Sequence, residues 1–337
     1  MEENRDVLIE KIKKMKFAYK TEEKIKFLLK DVEARPIKTI TFYIAGIRYL
    51  NKAEEDNGRE WEDFTPTMLD DALYAIDATS LNSLCSITTV IRDYLFETRV
   101  QTIEDKYAYK RTMTLTSEEL EGYVNTAGQE LKYLIPSEFD DIIFNRPGDA
   151  MCKSIFILLY YGVKGKSFKD IQELKIENIN FETGDIYNDN GKLLATIPKR
   201  YIYILKEASE EELFTMYNVD GSVKKQKVLI QPTGYLLRTV QWRTTKNKKP
   251  TKLLISNMLD EYLSCIGNEY VNGQSIYNSG EVYRFLKYYG IERPTGKMGK
   301  EWREWRELTG STLSYATMFS ASKIILKKLG LWDENNN

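Results

Sequence analysis

Ile179-Asn180-Phe181-Glu182-Thr183-Gly184-Asp185-Ile186-Tyr187 places apolar residues in alternation on either side of a Thr-Gly pair. That pattern reads as strand, tight turn, strand. Asn188-Asp189-Asn190-Gly191 supplies a second turn, Leu193 to Ile197 a third strand, and a helix follows from about Arg200. A small three-stranded antiparallel meander is therefore expected, and it decides the fold because everything around it has helical periodicity. Immediately upstream, Met151 to Tyr161 is almost unbroken in apolar residues and stops at Gly162, as a buried helix with a glycine end should. Further upstream, Thr116-Ser117-Glu118-Glu119 reads as a capping box that opens the same domain.

The N-terminal part has no strand signal. Residues 8–30 form a charged amphipathic stretch that Pro36 breaks, and a helix is expected from about Thr39 to the Asn57-Gly58 turn. Thr65-Pro66 is a cap followed by proline at the first helical position. Ser83 to Thr98 puts Ile87, Val90, Ile91, Tyr94 and Leu95 on one side, leaving Thr88, Thr89 and Arg92 partly on the other. A four- or five-helix bundle results. The polar stretch from Asp105 to Thr114 reads as a connection. The expected organisation is a helical domain over 1–110, a linker at 111–115 and a mainly helical second domain with its small sheet over 116–332. Trp302 and Trp305, three residues apart, are read as core, and Met318 to Leu329 as a segment docked on the second domain.

Composition narrows the chemistry. The 337 residues include no histidine and three cysteines, Cys85, Cys152 and Cys265, with no Cys-x-x-Cys pair. Histidine-dependent nucleophile pairs and imidazole metal sites are excluded, so neither metal nor cofactor is expected. Scattered thiols suit a reducing cytoplasm. The charged N-terminus, from Glu2 to Lys16, lacks the apolar centre of a signal peptide, and no apolar run is long enough for a membrane span. The net charge of −1 conceals a strong asymmetry. Between Ser222 and Leu259 there is no acidic residue, but Lys224, Lys225, Lys227, Arg238, Arg243, Lys246, Lys248, Lys249 and Lys252 are present, with Tyr235 and Trp242 among them. Basic residues interleaved with aromatics suit phosphates and bases.

The order of these elements resembles the tyrosine recombinase (phage integrase) superfamily. The resemblance is carried by Thr116-Ser-Glu-Glu-Leu120, Leu158-Leu-Tyr-Tyr-Gly162, Asp170-Ile-Gln-Glu-Leu174 and Glu177-Asn-Ile-Asn180. Ser311-Thr-Leu-Ser-Tyr315 stands where the family has its H-x-L-R-H box. The resemblance implies a two-domain scaffold around duplex DNA and a cutting reaction that needs two arginines, a lysine, histidine and a tyrosine nucleophile. At the matching positions this chain has Lys164 for the first arginine, Lys192 on the hairpin turn, Ser311 for histidine, Ser314 for the second arginine and Tyr315 for the last histidine. No tyrosine follows Tyr315. Lysine keeps the charge but loses the planar fork that holds a phosphate by two bonds. Each such loss costs about a hundredfold or more in rate, so an inactive scaffold is expected, unless another tyrosine such as Tyr288 or Tyr289 serves.

What the resemblance then implies is a sequence-specific DNA-binding transcriptional repressor that maintains phage lysogeny in a bacterial host. Its partners would be double-stranded operator DNA and possibly a second copy of itself. The candidate contacts are Lys38, Thr39, Thr41 and Tyr43 on one helix and Thr88, Thr89 and Arg92 on another. In the second domain they are the basic stretch, and Ser279 and Arg284 at an expected helix start, whose amides would receive a phosphate. An active or atypical recombinase, or an accessory protein of recombination, stays open at this point.

Overall fold

The computed structural model describes residues 5–30, 32–99, 106–230, 232–240, 249–295 and 298–332. The chain divides into two compact units, Met1–Gln129 and Glu130–Asn337.

The first unit is built from α1 (Arg5–Lys13), α2 (Thr21–Leu29), α3 (Ile37–Asn57), α4 (Pro66–Tyr74), α5 (Leu81–Arg99), α6 (Tyr107–Thr114) and α7 (Ser117–Glu121), with α8 (Thr126–Lys132) carrying the division. Its core gathers Ile12, Phe27, Ile40, Ile47, Leu50, Trp61, Leu84, Tyr94 and Leu95. Thr65 caps α4 by accepting from the Met68 amide, with Pro66 at the first helical position. Gly58 ends α3 at φ 63°. Both follow from sequence. The expected single helix over 8–30 is instead two, because Lys20 adopts a left-handed conformation at φ 50°. The connection between Asp105 and Thr114 contains α6. Thr112 on α6 accepts from the Trp61 indole at 2.9 Å, and Leu115 and Leu120 join the same core. The capping box at Thr116 and Glu119 forms, but it opens a helix of the first unit. The boundary therefore falls near residue 129, later than the 111–115 linker expected from polarity, because burial of Leu115 and Leu120 holds that stretch in the first core.

One buried ion pair fastens α2 to α3. Lys24 and Glu54 are both almost wholly enclosed and their side chains are bonded to each other. The Lys24 ammonium also lies 5.5 Å from the Phe17 ring centre.

The second unit continues with α9 (Pro136–Asn145), α10 (Ala150–Tyr160), α11 (Lys169–Glu173), β1 (Asp185–Tyr187), β2 (Leu193–Thr196) and α12 (Lys199–Glu210). It goes on through β3 (Leu213–Tyr217), β4 (Val223–Val228), α13 (Lys252–Ile266), α14 (Gly273–Tyr289), α15 (Met298–Thr309) and α16 (Tyr315–Lys328). The apolar helix read from sequence is α10, nearly every residue of which is buried. Gly162 follows at φ 96°. The meander is smaller than expected. β1 and β2 pair antiparallel, Ile186 opposite Ala195, but the first strand is reduced to a single bridge, Ile179 to Ile186. The backbone there is taken up by the turn, with the Asn180 side chain accepting from the Glu182 and Thr183 amides. A second antiparallel hairpin, β3–β4, lies inside the stretch read only as basic. Asp220-Gly221 at its tip, with Gly221 at φ 84°, is the turn signal that marks it.

Two interactions organise the unit. α14 crosses α10 so closely that a Cβ on Gly280 would stand 1.7 Å from the Tyr160 carbonyl oxygen. The C-terminal helix is tied back by Lys328, which donates to the Tyr133 and Glu130 carbonyls and to Glu138. Trp302 and Trp305 pack with Phe285 beneath α16, as core.

Asp149 and Glu211 form a carboxyl pair at the start of α10. Asp149 caps the helix through the Met151 amide and accepts from Thr215 at 2.7 Å. Burial first, and the Asp149 charge second, push Glu211 up to about 8; burial raises Asp149 as well. A carboxyl raised in the fold stabilises in its protonated form, so the contribution is complete below about pH 4.5 and is lost as pH rises through about 8. Thermal unfolding of the second unit should accordingly fall in temperature between those limits and flatten above. In Glu211→Gln this decline should shrink markedly; an unchanged profile would assign it to other groups.

Candidate nucleic-acid interface

Lys164 follows the left-handed glycine that ends α10. Gly162 leaves no room for a side chain, since a Cβ there would lie 2.9 Å from the Arg284 guanidinium. Gly165, at φ 62°, closes the turn against the Asp170 carboxylate. This bend delivers the Lys164 ammonium to the first turns of α14. There it bonds to the Gln274 side-chain oxygen and lies 4.9 Å from the Tyr277 ring centre. Burial lowers its pKa. Gln274 in turn donates to Asn278 at 2.6 Å. The Tyr277 side chain is hydrogen-bonded to Ser311, and burial raises its phenol pKa. Ser311 is nearly enclosed.

Two of the five expected positions, Lys164 and Ser311, thus meet across Tyr277. Sequence reasoning missed Gln274 and Tyr277, because nothing in their local pattern marks them; they matter only through what α14 packs against. The other three positions stand apart from this cluster. Ser314 caps α16 by accepting from the Thr317 amide at 3.2 Å. Tyr315 stacks on Phe319 with ring centres 5.9 Å apart. Lys192 is exposed on its turn, where the Asn188 side chain accepts from its amide at 2.9 Å. It is near enough to Asp170 to lower that carboxyl, which burial raises.

The cluster can hold an anion by one lysine, hydroxyls and amides. It contains no group that titrates near neutrality in its ordinary state. Tyr288 is exposed, and Tyr289, raised by partial burial and by Glu304, is a poor candidate nucleophile. Among the described residues no cluster of three or more Cys, Asp or Glu is placed to hold a metal.

The expected DNA contacts divide into three groups. Lys38, Thr41, Thr89, Lys225 and Lys252 are exposed and Thr39 and Lys227 half-buried. Lys224 reaches Glu261 at 3.1 Å and Lys249 reaches Glu173 at 2.8 Å. A second group turns inward. Tyr43 packs on Phe27 and Arg35 and donates to Asp93 at 2.8 Å. Thr88, 1% exposed, bonds back to the Leu84 and Cys85 carbonyls. Arg92 is spent on the Thr112 and Leu115 carbonyls, stapling α5 to the segment after α6. Arg238 is 3% exposed, and its Nε and one terminal nitrogen have no hydrogen-bond partner. Ser279 is not at a helix start: it lies inside α14, fully buried, donating to Ser275 and accepting from the Leu134 amide. Arg284 is bound to Glu281 at 2.7 Å and to the Tyr160 carbonyl. Glu281 also takes the Trp305 indole at 2.8 Å, so that network is structural. The third group, Arg243, Lys246 and Lys248, lies outside the described residues.

Residues 137–304 match the family model described as MrpR, C-terminal catalytic domain. The span takes in Lys164 and Lys192 and stops before Ser311. This segment is therefore similar to a recombinase-like catalytic domain. No curated protein matches the chain. Among solved structures, the crystal structure of XerA recombinase aligns over 91% of this chain and 97% of its own, at 12% identity and a TM-score of 0.38. No helix among the described residues is long and apolar enough to cross a membrane.

Proposed function

We propose that this protein is a sequence-specific, double-stranded-DNA-binding transcriptional repressor, built on a recombinase-like scaffold that no longer cuts. Within the superfamily it is most like the integrase-like master repressor of SPbeta-type Bacillus phages, and its role would be to hold lytic genes silent from operator elements. The observation that carries the reading is the state of Lys164. It is bonded to Gln274 and laid on Tyr277, beside a serine where the cutting reaction would need a proton donor of near-neutral pKa. Such a site can grip a phosphate and has no means of moving its protons. Ser314 is engaged in a helix cap, so no guanidinium completes the clamp.

The test has two arms. With about eight phosphates neutralised, log affinity for duplex DNA should fall against log salt with a slope near −7, and footprints on the host genome should lie upstream of promoters. A nicked suicide duplex should yield no covalent protein–DNA adduct. A phosphotyrosine adduct overturns the reading in favour of a recombinase; a slope near zero overturns DNA binding itself.

A further inference from the structure

The outer stripe of α3 differs from the rest of the first unit. Lys38, Thr41, Ala45, Arg48 and Lys52 recur at intervals of three and four residues and so share one face. Four of them are exposed and Ala45 is half-exposed. On other faces the cations are occupied: Lys24 with Glu54, Lys30 with Glu97 and Lys106 with Asp63. Arg5 and Arg92 are likewise occupied by backbone carbonyls. Among the described residues Lys38, Arg48 and Lys52 have no such partner, and no acidic residue stands on the stripe until Asp56 in the last turn. Three unpaired cations along one helix face repel one another and do nothing for stability. They suit a polyanion.

The spacing says which kind. Lys38 and Lys52 are fourteen residues apart, about 21 Å along the axis, a length that lets both reach backbone phosphates when the helix lies in a major groove. Ala45, midway, keeps the centre of the face thin enough for close approach. The Thr41 hydroxyl is used on the Ile37 carbonyl at 3.0 Å, which leaves its methyl as the contacting group and suits the methyl of thymine. Arg48 alone carries a fork that can pair with guanine N7 and O6.

Resting on the repressor reading, we propose that α3 is a base-reading helix of this protein, with Arg48 as a guanine-specifying residue and Lys38 and Lys52 as flanking phosphate anchors. The experiment is selection of sites from a random duplex library by the full chain, followed by titration of the selected site. Arg48→Ala should lose about 10- to 100-fold in affinity for it and lose the guanine preference at one position. Arg48→Lys should recover part of the affinity without that preference. Lys38→Ala and Lys52→Ala should weaken selected and scrambled duplexes alike and shallow the salt slope by about 1 each. If wild type selects a sequence and Arg48→Ala and Arg48→Lys select the same one, the assignment falls and the repressor reading stands. If wild type binds no duplex, both fall.

Discussion

Gly280→Ala should unfold the second unit at a temperature roughly 6–12 °C below wild type. The added methyl would have to occupy space 1.7 Å from the Tyr160 carbonyl oxygen and 2.6 Å from its carbon. Neither atom can move aside, because both belong to the backbone of α10, which is enclosed nearly throughout. The helices must separate, taking Phe156, Tyr160 and Ile276 out of contact. Overpacking of this kind costs about 3 kcal/mol at the upper end of its usual range, and a unit of this size loses roughly 2–4 °C per kcal/mol. Gly267→Ala is the control. That glycine sits at φ 72° with open space around it, so only the backbone conformation is penalised. Calorimetry of both variants settles the matter: equal melting temperatures for Gly280→Ala and wild type would mean that the crossing is looser than drawn.

The second large effect is expected in the other unit. Lys24→Met should cost about 3–5 kcal/mol, since it leaves Glu54 buried without its counter-charge. The direction of the pH dependence follows. Burial already raises Glu54, and the Lys24 charge acts against that rise. Without Lys24 the carboxyl is raised further, so the variant holds its stability while Glu54 is protonated and loses it as pH rises. It should be far closer to wild type at pH 5 than at pH 8. Lys24→Met with Glu54→Leu should regain most of the loss, because two apolar groups of similar volume leave no charge to solvate. A Lys24→Met variant that melts like wild type at pH 8 would show the pair to be dispensable.

Local signals read well from sequence and partnerships do not. Thr65-Pro66, the Thr116–Glu119 box and the apolar run of α10 each depend on residues within one or two turns, and each forms. The left-handed Lys20 leaves no trace in composition, so two helices read as one. Arg92 reads as an exposed cation on its helix face; what claims it is a pair of carbonyls more than twenty residues away. Arg238 and Ser279 belong to the same class, since burial is decided by elements that are remote in the chain. The β3–β4 hairpin was legible in its Asp-Gly turn, but a strand carrying Lys224, Lys225 and Lys227 has too little apolar alternation to declare itself. At the candidate site, Lys164 and Ser311 could be placed from motif order, whereas their meeting across Tyr277 needed the packing of α14.

The serine that begins α16 has a bearing on ancestry. Ser314 does work that a long cationic side chain does poorly, taking the amide of Thr317 and starting the helix whose far end Lys328 moors. Trading it for an arginine would forfeit about 1 kcal/mol of capping before any reactivity was regained. Under the repressor reading, a descendant drifting back toward strand cleavage would meet a loss of fitness at its first step, so the change behaves as a ratchet.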